Sequence, residues 1–157
     1  LGLLLDLDVR EGLLIPQAIA RGREILCDVG DGVLVRGRPR DARDLLDVLP
    51  ENSLSLCYLL YPDPWPKKRH HRRRFVTQEH LEPLFHVLKP GAEFRVATDI
   101  PDYVRQTLIE VPKAGFEWLA ESADDWRNPW GDWISTRYEQ KALREGRVPH
   151  YLTFRRI

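Results

Sequence analysis

The chain has 157 residues with 24 Lys+Arg against 24 Asp+Glu, 12 Pro, 10 Gly, 5 Trp, two Cys and no Met, a size and mix that fit one soluble domain with its own core and exclude collagenous, disulfide-rich and disordered classes. Its longest apolar stretches fall far short of the ~20 residues needed to cross a bilayer, and Cys27 and Cys57 sit 30 residues apart in apolar surroundings, which reads as two buried thiols in a reducing cytoplasm. The neutral total conceals a concentration: Lys67, Lys68, Arg69, Arg72, Arg73 and Arg74 place six positive charges in eight residues, leaving 18 basic against 24 acidic residues elsewhere, and such a run points to a polyanion.

In chain order, residues 1–8 read as an apolar strand ending in acids, followed by a helix carrying Leu14, Ile15, Ala18 and Ile19 that stops at Gly22. Residues 33–35 are a short β-branched run, after which Asp41 is placed to cap a helix with Leu45, Leu46 and Leu49 on one side before Pro50. Residues 53–61, SLSLCYLLY, are almost continuously apolar, as expected of a central strand covered on both faces. Pro62, Pro64 and Pro66 then forbid both helix and ladder, so a rigid loop leaves the carboxyl end of that strand.

Beyond the basic run, Leu81, Leu84, Phe85 and Leu88 recur at helical spacing until Lys89, Pro90 and Gly91 end the pattern, with Pro83 expected in the first turn. Residues 94–97 read as a strand with Thr98 and Asp99 at its end, Val104, Leu108 and Val111 line one face of the next helix, and residues 116–120 and 151–154 read as late strands. Repeated strand-helix units argue an α/β fold, a doubly wound and mostly parallel sheet forming one domain over 1–157, whose ligands lie beyond the carboxyl strand ends. Asp8, Asp41, Asp63 and Asp99 are each expected at or just after such an end.

The segment 61–75, YPDPWPKKRHHRRRF, joins an acidic aromatic loop to eight consecutive cationic or titratable residues. Phosphate binding by the run, with Trp65 stacking a base, competes with a merely solvated face. For Asp63 the plain alternative is a turn carboxylate that caps local backbone, and for Asp99 it is a cap on the helix starting near Pro101. Trp126, Trp130 and Trp133 surround Asn128 and Pro129 and are expected to pack a loop against the sheet rather than to stack bases. His70 and His71 have no spaced Cys or acidic partner, so no metal site is assigned.

Three segments carry a resemblance: 61–74, the LKPGAEFRVATDIPDYV stretch at 88–104 and the STRYEQKALREGRV stretch at 135–148. Together, and above all through the P-D-P-W-P-K-K-R-H-H run, they resemble the bacterial tRNA (guanine-N(7)-)-methyltransferase family. The resemblance implies a class I, Rossmann-like methyltransferase fold, S-adenosylmethionine as donor, and methylation of a guanine in the tRNA variable loop. It implies that Asp8, or its neighbour Asp6, meets the cofactor ribose, that Asp41 lies near the adenine, and that Asp63 sits where donor meets base. Lys67, Asp99, Thr136, Arg137, Tyr138 and Glu139 match substrate-contacting positions, with Lys68, Arg69, Arg72, Arg73 and Arg74 expected on RNA phosphates.

The family's first strand and Gly-rich turn have no counterpart, since Gly22, Gly30, Gly32 and Gly37 are misplaced for it; with Leu at position 1 and no Met anywhere, that motif is expected before residue 1. The partner is expected to be tRNA, with the protein a monomer or homodimer, and no membrane or metal. Two rivals stand beside this reading: an inactive RNA-binding relative, and a methyltransferase for exocyclic amino groups, whose loops place Pro-Pro directly before the aromatic, whereas Asp63 separates Pro62 from Pro64.

Overall fold

A computed structural model describes residues 3–7, 25–28, 34–37, 46–47 and 49–157. Seven strands are placed: β1 (Leu3–Leu7), β2 (Ile25–Asp28), β3 (Leu34–Gly37), β4 (Leu54–Leu60), β5 (Leu88–Thr98), β6 (Phe116–Trp118) and β7 (His150–Arg156). The helices are α1 (Gln78–Val87), α2 (Pro101–Lys113), α3 (Asp124–Arg127) and α4 (Arg137–Arg144), with a 3-10 turn over Lys68–Arg73. Five strands form one sheet in the order β1-β4-β5-β7-β6, and β2 pairs with β3 alone. The expected α/β architecture is present. No helix among the described residues is long and apolar enough to cross a membrane.

The apolar run of β4 lies inside the sheet, between β1 and β5, with both of its faces covered. Cys57 and Leu59 join Phe94, Val96, Leu152 and Phe154 on one face, closed by Leu81, Leu84 and Val87 of α1 and Tyr103 and Val111 of α2. Tyr58, Leu60, Ala97 and Tyr151 form the other face, covered by Trp130 and Trp133. The tryptophan cluster thus packs a loop on the sheet, as its sequence suggests: Trp130 meets Tyr58 at 5.6 Å and Tyr151 at 5.5 Å, and its indole N–H donates to Thr153 Oγ1 at 2.8 Å. Burial raises the pKa of the Cys57 thiol, in keeping with one of the two buried thiols expected.

Strand directions differ from the expected mostly parallel sheet. Only β4 and β5 run parallel among the described pairs, while β1 is antiparallel to β4 and β7 is antiparallel to both β5 and β6. β7 lies between β5 and β6 and runs opposite to both. β1 pairs Leu7 with Leu54, which puts its carboxyl end beside the amino end of β4. The acids that follow strands therefore share a sheet end for Asp63 and Asp99, and the end of β1 lies at the opposite one. Asp8, Asp41 and the helix containing Leu14 to Ile19 fall outside the described residues.

Smaller differences have local causes. Pro83 stands inside α1 rather than in its first turn. β5 begins at Leu88, immediately after α1, and its pairing passes from Leu54↔Leu88 to Leu56↔Glu93. The Lys-Pro-Gly stretch is therefore an excursion within the strand, and Gly91 turns it at φ +80°. β3 covers the short β-branched run at 33–35, whereas β2, α3 and α4 went unpredicted as elements.

Candidate active site

β4 delivers the candidate loop with a defined exit. Beyond the strand the Tyr61 N–H donates to Ala97 O at 2.8 Å, extending the parallel ladder by one bond. Tyr61 and Trp65 then take φ of +46° and +39°, left-handed conformations that ordinary residues adopt at a cost of about 1–3 kcal/mol each. Between them Pro62 is buried and Asp63 is exposed. The Asp63 carboxylate makes no hydrogen bond or ion pair among the described residues, so the backbone-capping alternative is not realised. Its charge is near enough to Tyr103 to add to the burial that raises that phenol's pKa.

The basic run divides into two populations. Lys67, Lys68, Arg69, Arg72 and Arg73 are exposed on or beside the 3-10 turn. Arg73 covers the Trp65 ring, its guanidinium carbon 4.9 Å from the centroid, and His70 meets the same ring edge-on at 6.0 Å. Trp65 is thus already stacked by a cation within the chain. Arg74 is 1% exposed, and the expectation that it contacts phosphate is corrected. Its Nε donates to Pro64 O at 2.9 Å and its Nη1 to Gln106 Oε1 at 2.7 Å, while Nη2 reaches Asp102 Oδ2 at 2.8 Å and Trp65 O at 3.5 Å. A residue facing inward next to buried Phe75 and Val76 has no surface left for RNA.

Asp99 directly follows β5 and is buried. It does not cap α2, whose N-cap is Ile100 with Pro101 in the first turn; Thr98 Oγ1 instead accepts from the Ile100 N–H at 3.3 Å. Asp99 accepts from Arg147 Nε, and Arg147 Nη1 also donates to Glu145. Arg147 comes from the turn after α4, so this ion pair fastens the 135–148 segment to the end of β5.

Thr136 is the N-cap of α4, its Oγ1 accepting from Glu139 N at 3.2 Å. The spacing Thr-x-x-Glu is a capping-box signature and would have announced this helix in the sequence. Only half the box forms, because the Glu139 side chain turns inward. It is 5% exposed, accepts from Trp133 Nε1 at 2.6 Å and from the Tyr151 hydroxyl. The expectation that Glu139 offers a free substrate contact is corrected to an internal role, since each carboxylate oxygen already has a partner. Arg137 and Tyr138 remain exposed and pair with each other, Nη2 to hydroxyl at 3.1 Å.

These residues converge around Tyr61. Burial chiefly raises the Tyr61 pKa, with Tyr151, Glu139 and Asp99 adding to it in that order. Burial likewise raises Tyr151, helped by its bond to Glu139. One end of the sheet therefore gathers Tyr61, Asp63, Asp99, Glu139 and Tyr151. Arg147, Tyr61 and Tyr151 were not singled out from the sequence, where nothing in spacing marks them. Among the described residues no group of three or more His, Cys, Asp or Glu could hold a metal ion.

Residues 35–152 match the family model Methyltransf_4, described as "Putative methyltransferase". The chain is 82% identical over 123 residues to a tRNA (guanine-N(7)-)-methyltransferase of Ruegeria pomeroyi, covering 78% of this chain and 52% of that protein. A relative of the same name from Jannaschia sp. is 77% identical over 118 residues, covering 75% and 50%. One from Agrobacterium fabrum is 56% identical over 115 residues, covering 73% and 50%. The chain spans about half the length of the curated relatives it matches.

Proposed function

The chain belongs to the methyltransferase family whose model spans its residues 35–152, and from that premise we propose that it serves a tRNA (guanine-N(7)-)-methyltransferase acting in the cytoplasm. The reaction passes a methyl group from S-adenosylmethionine to N7 of a guanine in the tRNA variable loop. The observation that carries this reading is the placement of an exposed, unpaired Asp63 on a braced loop directly before five exposed cations. The names of the relatives support the choice of base and atom.

S-adenosylmethionine, when bound, supplies the methyl group as a sulfonium electrophile. The described residues fit such a donor at Asp63, whose free carboxylate complements a cationic sulfur; Asp8 and Asp41, the other two residues assigned to it, lie outside them. Guanine N7 has a free lone pair in tRNA, so the site needs no strong general base. Positive charge moves onto the purine as the bond forms, and a fixed carboxylate stabilises it better than water, which would have to reorient. Asp63 is assigned that role. Lys67, Lys68, Arg69, Arg72 and Arg73 hold phosphates, with Asp99, Thr136, Arg137 and Tyr138 around the substrate.

The test is nucleoside mass spectrometry on unmodified tRNA incubated with the complete gene product and S-adenosylmethionine. Appearance of 7-methylguanosine, lost in Asp63→Asn with tRNA affinity held within about twofold, is the expected result, since the carboxylate acts on developing charge rather than on binding. tRNA binding without any methylated base would favour the inactive RNA-binding relative. Equal rates for Asp63→Asn and wild type would remove Asp63 from its role.

A further inference from the structure

Arg74 stands apart from the cations before it. A 1% exposed guanidinium must have its charge and its N–H groups satisfied internally, and four of its five N–H donors are accounted for: two on the carbonyls of Pro64 and Trp65, one on Gln106, one on Asp102. The plane also lies against Tyr103, 5.2 Å from the ring centroid. Two of these partners belong to the loop that carries Asp63, and three belong to α2, the helix that follows Asp99. Gln106 continues the brace through Val76 O at 2.7 Å.

The loop needs such a brace. Tyr61 and Trp65 hold left-handed φ, and positions of that kind persist only where the surroundings over-determine them. Prolines restrict the loop but leave it free to tilt as a unit, because Pro62, Pro64 and Pro66 donate no backbone hydrogen bond. The forked contact to the consecutive carbonyls of Pro64 and Trp65 removes that tilt. A lysine at this position would keep the charge but not the fork.

We infer that Arg74 is a positioning residue for methyl transfer: by clamping the Pro64 and Trp65 carbonyls to α2 it fixes where Asp63 projects relative to Asp99. The inference rests on the methyltransferase reading above for its catalytic consequence. The geometry separates it from a phosphate contact, because clamping requires the fork, whereas phosphate binding requires only exposed charge.

The test compares Arg74→Lys and Gln106→Ala with wild type, each checked for a cooperative melt. Displacing a catalytic group by about an ångström costs on the order of 100-fold in rate, so Arg74→Lys is expected to lower kcat about 10- to 100-fold while leaving KM for tRNA and the salt dependence of binding unchanged. Gln106→Ala, which removes one partner from a half-buried position, keeps the test open if Arg74→Lys does not fold; about a threefold to tenfold loss in kcat alone is expected. Folded variants with wild-type kcat, or a loss confined to KM with a shallower salt dependence, would overturn the inference. Independently of activity, 5-fluorotryptophan labelling should show the Trp65 fluorine signal shift or broaden in either variant while Trp130 and Trp133 stay fixed; an unmoved Trp65 signal overturns it as well. A wild-type protein that makes no 7-methylguanosine removes the methyltransferase reading, and the fluorine signal still decides whether Arg74 fixes the loop.

Discussion

The Asp99–Arg147 pair is the most exacting place to test how the site is held. Asp99 is 8% exposed, and its side chain meets an arginine that is 39% exposed. Removing one partner of a fully buried ion pair costs about 3–5 kcal/mol, because the remaining charge is left without compensation. Arg147 stands partly in water, so solvent screening lowers that figure, and Arg147→Ala is expected to cost about 1–2 kcal/mol. For a domain of this size each kcal/mol moves Tm by about 2–4 °C, giving a drop of about 2–8 °C in thermal denaturation. The stranded carboxylate is the cause, so Asp99→Asn combined with Arg147→Ala should be more stable than Arg147→Ala alone by about 1 kcal/mol. A single variant that melts within about 1 °C of wild type, or a double variant no better than the single, would refute the reasoning.

Three further outcomes rest on other parts of the molecule. Arg69→Gln with Arg72→Gln should flatten the plot of log affinity for tRNA against log salt by roughly two, since each exposed cation releases about one counterion; an unchanged slope would place the RNA surface elsewhere. Four of the five tyrosines have raised pKa values, chiefly through burial, with Tyr58 pushed up to about 12. A raised phenol pKa leaves its stabilising contribution intact below the unfolded value near 10 and loses it as pH climbs above that value, so denaturant midpoints should fall only on the alkaline side, alongside a delayed ultraviolet tyrosinate titration; a flat midpoint there would contradict this. Gly115→Ala should destabilise by about 1–3 kcal/mol, because Gly115 has φ +95° and an added Cβ would approach Phe85 Cε2 to 2.7 Å; chemical denaturation with an unchanged midpoint would show that the ring yields freely.

Much of this site was legible because its chemistry is written in unusual local sequence. The apolar run of β4, the helical spacing of Leu81 and Leu84, and the proline-bounded Asp63 each depend on neighbours within a few residues, and each took the expected place, although Leu88 opens β5 instead of continuing the helix. Direction was harder to read. A run of six cations looks uniform in sequence, yet Arg74 turns inward because the chain enters the core at Phe75 and Val76, a distinction of burial rather than type. Glu139 was misjudged for the same reason: its partners Trp133 and Tyr151 come from the segment before it and from β7. The reversal of β1 relative to β4 was hidden, since an alternating or apolar strand reads identically in either direction.

The stiff Pro-Asp-Pro-Trp loop also bears on how binding heat should vary with temperature. Its backbone freedom is already spent in folding, through three prolines, two left-handed residues and the Arg74 fork. Engagement of an RNA at Asp63 therefore carries no coupled ordering of that segment, and calorimetry should return a small negative heat-capacity change set by the interface alone. A flexible counterpart would add the large heat-capacity signature of a segment folding onto its ligand.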